Sequence, residues 1–311
     1  MKQNNIWTVV VTYNAENWIA NCLNSIFEST VKSHVVIVDN NSTDNSISII
    51  KNKFGNCVLL ENKSNKGFGS ANNRGIRYAL EKGANYIALL NQDAKLHPMA
   101  LEKLLYYSEK YADYGILGPM FYSYDGTELD EFLLKWTYHY DLSLASDIFF
   151  QRPKEVYHVP LIPAAMWLMK KEALLDVGLF DPLFFMYKED DDLWTRFQRK
   201  GWKTGFFPNA IVYHHTSKEN SYTITKRKWY TYGNIVLNLK NPGKSFPGCL
   251  RSLFADYVSG TLSAMAYLNK SELYIRQVTM LKVLRNLKKI YQHRKKCIEE
   301  KLVFIQIDEG S

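Results

Sequence analysis

Residues 6–39 read IWTVVVTYNAENWIANCLNSIFESTVKSHVVIVD and contain a complete strand–helix–strand unit. The apolar, β-branched run from Ile6 to Tyr13 predicts a buried strand, and the run from His34 to Asp39 repeats that pattern. Between them, Asn14 can cap a helix whose apolar residues recur at three- and four-residue intervals. Because the link between the strands contains a helix, we expect the two strands to lie parallel in one sheet.

The same alternation continues along the chain. After a helix marked by Ile47, Ile50 and Phe54 come a strand at Cys57 to Glu61, a helix at Ala71 to Leu80, a strand at Tyr86 to Leu90 and a helix opening near Pro98. Further strands are predicted at Gly115 to Met120, Pro163 to Met169, Lys203 to Phe207 and Ala210 to Tyr213. The sequence thus predicts an α/β fold with a mostly parallel sheet and helices on both faces.

The pattern changes after Ser217, where helices follow one another and a strand is predicted only at Val303 to Ile307. We therefore predict two units, residues 1–220 and a helical C-terminal extension at 221–311. Within the first, residues 1–120, which carry the strand-end loops, are predicted to bind a nucleotide-containing donor, and residues 121–220 to form the acceptor side. The stretch from Tyr122 to Val159 has no clear pattern and is interpreted as a lid or as acceptor loops.

The bulk composition is that of a globular protein, with 46% apolar and 23% charged residues among 311. The net charge of +8 favours an anionic partner such as a nucleotide, a phospholipid surface or a nucleic acid. Four scattered cysteines without metal-like spacing suit a reducing cytoplasm. No signal peptide is predicted, and no apolar run approaches the ~20 residues of a spanning helix. We expect a cytoplasmic protein.

Short polar side chains follow four of the predicted strands, in the loops Thr12-Tyr13-Asn14, Asp39-Asn40-Asn41-Ser42, Asn65-Lys66-Gly67 and Asn91-Gln92-Asp93. One such loop would be an ordinary turn. Because ligands of parallel sheets bind beyond the carboxyl ends of the strands, four of them predict a binding site. Asp93 is placed to hold Mg²⁺ or Mn²⁺, Lys66 to contact phosphates, and Asp39 or Asn40 to contact a base or ribose, which indicates a nucleoside diphosphate derivative.

A second candidate site is the stretch GLFDPLFFMYKEDDDLWTR at Gly178 to Arg196, where aromatic residues precede four acids. Apolar surroundings raise a carboxylate pKa towards the range of a general base. The alternative is an ordinary acidic first turn of a solvated helix. His214 and His215 lie at the end of a later predicted strand. Because they follow this acidic stretch, we interpret them as candidate site residues.

The segment from Leu273 to Lys296 predicts an amphipathic helix. Its apolar face comprises Met280, Val283, Leu284, Leu287, Ile290 and Tyr291, opposite Lys282, Arg285, Lys288, Lys289, Lys295 and Lys296. The apolar face is interpreted either as packed on the catalytic unit or on a second copy of the chain in a homodimer, or as a peripheral contact with the inner face of the plasma membrane.

The chain resembles the family 2 glycosyltransferases, and among them the rhamnosyltransferase-like bacterial members. The motifs are VVVTYN at Val9 to Asn14, VDNNSTDNS at Val38 to Ser46, NKGFGSANNRGI at Asn65 to Ile76, LLNQDA at Leu89 to Ala94, VGLFDPLFFMYKEDDDLWTR at Val177 to Arg196, GW at Gly201-Trp202 and VYHH at Val212 to His215. The resemblance implies a GT-A fold, which is a Rossmann-like α/β domain, and agrees with the alternation above.

By this resemblance, Asp190 is the catalytic base, Asp93 and His214 bind Mg²⁺ or Mn²⁺, and Glu189 and Trp167 lie on the acceptor side. The implied nucleotide-sugar pocket comprises Thr12, Tyr13, Asn14, Asp39, Asn40, Lys66, Gly67, Asn72, Asn91 and Gln92. The family's DXD motif is Asn91-Gln92-Asp93 here, so a single acid remains for the metal. Asn40 stands where many relatives carry Asp, and its amide can still accept from a pyrimidine N–H.

The resemblance implies an inverting transfer of a sugar from dTDP-rhamnose or a UDP-sugar to a saccharide hydroxyl, on an acceptor that could be polyprenyl-linked, in cell-surface polysaccharide synthesis. Nucleic acid is not an expected partner. A nucleotidyltransferase would carry a GxGTR-type loop where this chain has TYNAEN, and a dehydrogenase would carry GxGxxG there. The remaining alternative is a non-catalytic subunit of a polysaccharide assembly complex that keeps the fold.

Overall fold

The computed structural model describes residues 5–131, 133, 142–159, 162–215, 223–299 and 304. Its strands are β1 (Ile6–Thr12), β2 (His34–Asp39), β3 (Val58–Glu61), β4 (Tyr86–Asn91), β5 (Ala94–Leu96), β6 (Tyr114–Ser123), β7 (Tyr157–His158), β8 (Met166–Lys170) and β9 (Lys203–His214). Its helices, numbered in chain order, are α1 (Ile19–Phe27), α2 (Ser46–Lys53), α3 (Phe68–Glu81), α4 (Ala100–Lys110), α5 (Leu142–Phe149), α6 (Lys171–Val177), α7 (Glu189–Arg199), α8 (Ile224–Lys240), α9 (Phe246–Ala266) and α10 (Lys270–Ile298).

Within these residues the strands form one nine-stranded sheet in the order β3-β2-β1-β4-β8-β6-β9-β5, and β7 pairs with β9. The first four strands are parallel, as are β6 and β9, whereas β8 runs antiparallel to β4 and β6, and β5 and β7 run antiparallel to β9. The predicted α/β fold of the GT-A type, with a mostly parallel sheet, is therefore confirmed.

The register of the parallel strands brings the predicted loops together. Thr12 pairs with Asp39 and Val11 pairs with Asn91, so β1, β2 and β4 end at the same edge of the sheet. Helix α3 lies close against this part of the sheet because Gly75 has no side chain, and a Cβ there would lie 2.4 Å from Cγ1 of Val9. This close contact fixes where the amino end of α3 meets the loops.

Two details differ from the sequence prediction. The two predicted closing strands form the single strand β9, whose pairing with β6 shifts register after Pro119, where the partner changes from Phe207 to Ile211. Pro208 lies in the shifted part, and a proline cannot donate to a strand ladder. The strands β5 and β7 were not predicted because three and two residues are too short to show a period. The predicted strand at 303–307 lies outside the described residues apart from Phe304.

The C-terminal helices have their own apolar cluster, which also includes Leu183 and Phe184 from the segment before α7. Val283 and Ile290 of α10 are buried in this cluster, while Leu284 and Tyr291 are exposed. The predicted amphipathic helix is thus present, and part of its apolar face packs within the protein. The division at residue 220 stays a prediction. No helix among the described residues is both long and apolar enough to span a membrane.

Candidate active site

The loops after β1 and β4 are joined by reciprocal hydrogen bonds. The backbone N–H of Tyr13 donates to Oε1 of Gln92 at 2.7 Å, and the Gln92 amide donates to the Tyr13 carbonyl at 3.3 Å. Asn14 takes a left-handed conformation with φ of 51°, and its backbone N–H donates to Oγ of Ser42 at 3.0 Å. The loops after β1, β2 and β4 therefore form one connected rim.

Asp39 and Asn40 are buried, and both hold the rim together. The Asp39 carboxylate accepts from the backbone N–H groups of Asn41 and Ser42, each at 3.0 Å. Oδ1 of Asn40 accepts from the Lys66 N–H at 2.9 Å, and its amide nitrogen donates to the Gly67 carbonyl at 3.2 Å. A base contact by Asn40 would have to share an oxygen that already serves the loop.

The loop before α3 reaches the acidic segment. Gly67 has φ of 83°, and a Cβ on it would lie 2.1 Å from the Phe185 carbonyl oxygen, so only glycine fits. The next residue, Phe68, donates its N–H to that same oxygen at 3.0 Å. Lys66 is exposed beside this contact, and the Asn72 amide donates to the Phe68 carbonyl one turn below. The contact places the amino ends of α3 and α7 side by side.

Helix α7 begins at Glu189 after two non-glycine residues in the left-handed region, Tyr187 with φ of 67° and Lys188 with φ of 72°. Such residues cost about 1–3 kcal/mol each and persist only where their surroundings hold them. Helix α8 supplies that support, because a Cβ on Gly233 would lie 2.9 Å from the Tyr187 carbonyl oxygen and the Trp229 ring lies 4.8 Å from that of Phe185. The C-terminal helices thus fix the conformation of the acidic turn.

The four consecutive acids have four different environments. Asp192 is buried and paired with Arg196 at 3.0 Å and with Lys240, while Asp191 pairs with Lys188 at 3.1 Å. Oδ1 of Asp190 accepts from the Asp191 backbone N–H at 3.0 Å. Oε2 of Glu189 is buried without a hydrogen-bond partner among the described residues. Asp191 and Asp192 therefore form ion pairs. Glu189 and Asp190 form none among the described residues and are the two candidates for an acid or base role.

The environment separates the pKa values of these two carboxyl groups. Burial, together with the charge of Asp190, raises the pKa of Glu189 to about 8. Burial and the neighbouring Asp191 raise the pKa of Asp190 to about 6. At neutral pH, Glu189 is therefore mostly protonated and Asp190 mostly ionised. Carboxyl groups whose pKa values are pushed apart in this way can take different acid and base roles.

On the other side of the rim, His214 lies between two carboxylates. Its Nε2 is 3.7 Å from Oδ1 of Asp93, and its Nδ1 is 3.4 Å from Oδ2 of the buried Asp130. The Asp93 carbonyl also accepts from the His215 N–H at 3.0 Å, which joins the end of β9 to the loop after β4. Asp130 belongs to the stretch left unassigned from the sequence, so this partner of His214 was not predicted.

The residues at this position suit a hard divalent cation that also contacts a substrate. Asp93 offers carboxylate oxygen and His214 offers the ring nitrogen that faces it, while Asp130 meets the other nitrogen as the outer partner of a ligating histidine usually does. No group of three or more side chains that could hold a metal was found in the described part of the chain. The remaining ligands would have to come from substrate phosphates and water, which is the usual arrangement for Mg²⁺.

Trp167 has a different position from the one expected. It lies fully buried in β8, its indole N–H donates to the Ile162 carbonyl at 3.1 Å, and its ring stacks on that of Phe180. A side chain with no exposed surface and a committed N–H supports the core beneath the acidic segment. We therefore no longer count Trp167 among the acceptor contacts.

A buried charge network under the acidic turn was also missed from the sequence. Lys240 of α8 pairs with both Asp181 and Asp192, and Asp181 also accepts from Nδ1 of His293 at 2.8 Å. Arg196 completes the network through Asp192 and donates to the carbonyls of Val177 and Leu179. Its members come from four separate parts of the chain, so no local pattern could have indicated it.

Comparison with known proteins finds relatives among the glycosyltransferases. A model of the family described as "Glycosyl transferase family 2" matches residues 7–178. The chain is 27% identical over 229 residues to the N-acetylglucosaminyl-diphospho-decaprenol L-rhamnosyltransferase of Mycobacterium tuberculosis, covering 67% of this chain and 75% of that protein. It is 34% identical over 124 residues to the dTDP-rhamnosyl transferase RfbF of Shigella flexneri, covering 39% of this chain and 40% of the relative.

Solved structures of glycosyltransferases share the fold. The mannosyltransferase PcManGT from Pyrobaculum calidifontis, in complex with GDP-Man and Mn²⁺, superposes with a TM-score of 0.56 at 15% identity, covering 92% of this chain and 87% of that one. GalNAc-T7 with UDP, GalNAc and Mn²⁺ gives a TM-score of 0.58 at 14% identity, covering 93% and 58%. At such identities the likeness concerns the fold.

Proposed function

The chain belongs to glycosyl transferase family 2, and from that premise we propose that it transfers a sugar from a nucleoside diphosphate sugar to a saccharide hydroxyl with inversion. The observation that carries the proposal is a placement: Glu189 and Asp190, the two acids of this turn without an ion pair among the described residues, lie where the start of α7 meets the loop before α3. A single ionised carboxylate at neutral pH is what a single displacement needs as its base.

In the proposed reaction, Asp190 accepts the proton of the acceptor hydroxyl as the hydroxyl oxygen attacks the anomeric carbon. The bond between that carbon and the diphosphate oxygen breaks at the same time, so the configuration inverts and a nucleoside diphosphate leaves. Burial raises the pKa of the neighbouring Glu189, which favours its protonated form, so Asp190 serves as the ionised base. In this proposal Glu189 lies on the acceptor side of the site.

The donor would lie along the rim formed by the loops after β1, β2 and β4. Tyr13, Asp39 and Asn40 bound the nucleotide end in this proposal, with Lys66 and Gly67 nearer to the diphosphate. Asp93 and His214 would hold Mg²⁺ or Mn²⁺, which when bound neutralises charge on the departing diphosphate. GT-A neighbours were solved with Mn²⁺, which supports a divalent cofactor here.

The relatives guide the choice of substrates. One is named for transfer of L-rhamnose to a diphospho-decaprenol acceptor and another for a dTDP-rhamnosyl donor. We therefore propose dTDP-rhamnose or a UDP-sugar as donor, a polyprenyl-linked saccharide as acceptor, and cell-surface polysaccharide as the product.

A lipid-linked acceptor would require contact with a membrane surface, and the C-terminal helices have suitable charge. Residues 223–299 contain 15 Lys and Arg against three acidic residues, a net charge of +12 in a chain of net charge +8. Helix α9 also exposes an apolar stripe in which Phe254 is 68%, Leu262 61% and Met265 53% exposed. We propose that this stripe, together with exposed basic residues of the C-terminal helices, contacts an anionic membrane surface from the cytoplasmic side.

The function is tested by a thermal-shift screen of nucleotide sugars with and without Mn²⁺, followed by release of nucleoside diphosphate from each donor that binds. We expect stabilisation by a dTDP- or UDP-sugar that is larger with Mn²⁺, and slow hydrolysis of that donor in the absence of acceptor. Binding without any release of nucleoside diphosphate, with or without added saccharides, would favour the non-catalytic subunit.

A further inference from the structure

A second cavity lies away from the strand-end rim, among the three C-terminal helices. Its volume is about 340 Å³, and its wall combines residues of α8, α9 and α10. That volume lies within the range of ~300–1,000 Å³ that is usual for small-ligand sites. None of the residues to which the proposed transfer reaction gives a role lines this cavity.

The wall that α8 presents to this cavity combines apolar side chains, Ile235 and Leu239, with a row of polar ones. Tyr230, Asn234 and Asn238 recur every four residues and therefore share one face of the helix. Neither amide side chain has a hydrogen-bond partner among the described residues. Asn234 is half-buried and Asn238 is exposed, so both amide groups can hydrogen-bond a ligand in the cavity.

A third polar group faces the cavity from α10. Thr279 is only 2% exposed, and its hydroxyl is buried without a partner in the described part of the chain. Amide and hydroxyl groups can both donate and accept, and the tyrosine ring of Tyr230 offers an apolar face next to them. Together with Lys244, Asp256 and Arg276, which also line the cavity, these groups offer donors and acceptors that suit a ligand with many hydroxyl groups.

The cavity also adjoins the acidic turn. The Tyr230 ring lies 5.0 Å from Nζ of Lys188 and 6.3 Å from the ring of Tyr187, the two residues that precede Glu189. Gly233, next to Asn234, packs on the same two residues. A ligand that reaches the Tyr230 end of the cavity would therefore lie beside the turn that precedes Glu189 and Asp190.

We propose that this cavity binds the saccharide part of the acceptor, with Asn234 and Asn238 as the residues that recognise its hydroxyl groups. The proposal rests on the proposed glycosyltransferase function and gives that function an acceptor subsite on the C-terminal helices. The sugar that is recognised would then depend on α8, an element outside the residues matched by the family model.

The test is saturation-transfer NMR of the full chain with a panel of methyl glycosides of rhamnose, N-acetylglucosamine, glucose, galactose and mannose. UDP and dTDP are present in excess so that the donor rim is filled. We expect at least one glycoside to bind the wild-type protein. The variant carrying Asn234→Ala and Asn238→Ala should bind it about tenfold more weakly, which corresponds to ~1.4 kcal/mol, because it lacks two amide groups that can hydrogen-bond the sugar.

Two further variants complete the experiment. Gln292→Ala, which removes an exposed amide of α10 outside the cavity, should leave glycoside binding unchanged. Thr231→Phe, which fills the cavity and keeps both amides, should reduce binding as the double variant does. Failure of every glycoside to bind the wild-type protein, or equal binding to all four proteins, overturns the proposal. A chain that releases nucleoside diphosphate from a donor and yet binds no glycoside would retain the proposed function and lose only this subsite.

Discussion

Oδ2 of Asp130 lies 3.4 Å from Nδ1 of His214, a contact between the stretch after β6 and the end of β9. The opposite ring nitrogen of His214 faces Asp93 at 3.7 Å. Asp130 is itself buried and accepts from the Leu133 N–H at 3.1 Å, so its carboxylate has a defined orientation. Because Asp130 contacts Nδ1 of His214, the nitrogen that faces Asp93 is Nε2. We therefore expect Asp130 to orient the His214 ring.

Asp130→Asn should weaken donor binding in Mn²⁺ by about 10–100-fold, the usual cost of losing the outer partner of a ligating histidine. Asp93→Ala should weaken it at least as much, and both variants should match the wild type in EDTA. Calorimetric titration of the donor with and without Mn²⁺ measures the effect. Asp125→Asn, in the same hairpin, is the matched control, and an equal loss in EDTA would argue against a role through metal.

Asp190→Asn should reduce transfer by about 10²–10⁴-fold, because the amide cannot accept the acceptor proton. Donor binding should change little, since the base acts on the acceptor. Initial rates of nucleoside diphosphate release with acceptor present, together with donor affinity, give both quantities. Asp191→Asn, which removes an acid paired with Lys188, serves as the neighbouring control. Activity of Asp190→Asn within tenfold of the wild type would remove Asp190 from the role.

The pH dependence of transfer should follow Asp190. With its pKa raised to about 6, kcat/KM should fall as the pH drops below about 6, because the base becomes protonated. A rate profile from about pH 5 to about pH 9 on the best donor tests this. A rate that stays constant down to pH 4.5 or so would mean that the ionisation of Asp190 does not limit the reaction.

Glu189 should make folding stability depend on pH in a defined direction. Its pKa is about 8 in the folded chain against an ordinary value of 4.5, so the folded state binds more protons than the unfolded state between these values. The free energy of unfolding should therefore decrease as pH rises from about 4.5 to about 8. Glu189→Gln should flatten this decrease in urea unfolding curves. A wild-type stability that rises through this range would contradict the assignment.

Lys240→Met should destabilise the chain by about 3–5 kcal/mol, because it leaves Asp181 and Asp192 buried without their shared cation. Urea unfolding measures the loss, and Lys270→Met, on the exposed start of α10, controls for the substitution itself. A change equal to that of the control would show that the network contributes nothing. Since Asp192 belongs to α7, activity should also fall in the variant as the acidic turn loosens.

Anionic vesicles should sediment the protein at low salt, and the association should weaken as salt screens the basic residues. Lys288→Glu with Lys289→Glu should reduce it through charge, and Phe254→Ser with Leu262→Ser should reduce it through the α9 stripe. Gln292→Ala controls for surface change. Absence of sedimentation at low salt defeats the membrane proposal. Analytical ultracentrifugation tests the alternative that the stripe binds a second copy of the chain. A wild-type dimer that is lost in the α9 variant, with no vesicle binding by either protein, would support that alternative.

Much of the sheet could be predicted from the sequence because its determinants are local. The β-branched runs at Ile6 to Tyr13 and His34 to Asp39 predict strands by their own composition, and the helix between them makes a parallel pairing the expected one. The polar loops that end these strands follow directly, since parallel strands finish at one edge. The short β5 could not be found in this way because its three residues are too few to form a pattern.

The sequence by itself determined the α/β fold, the edge at which the strand-end loops meet and the acidic segment as a candidate site. Only the tertiary structure distinguished the four acids. Asp191 pairs with Lys188, and Asp192 pairs with Arg196 and with Lys240, which comes from the distant helix α8. The tertiary structure likewise placed Trp167 in the core and Asp130 beside His214. The physical reason is that burial and charge pairing depend on which distant segments pack together, and the spacing of residues along the chain carries no record of that.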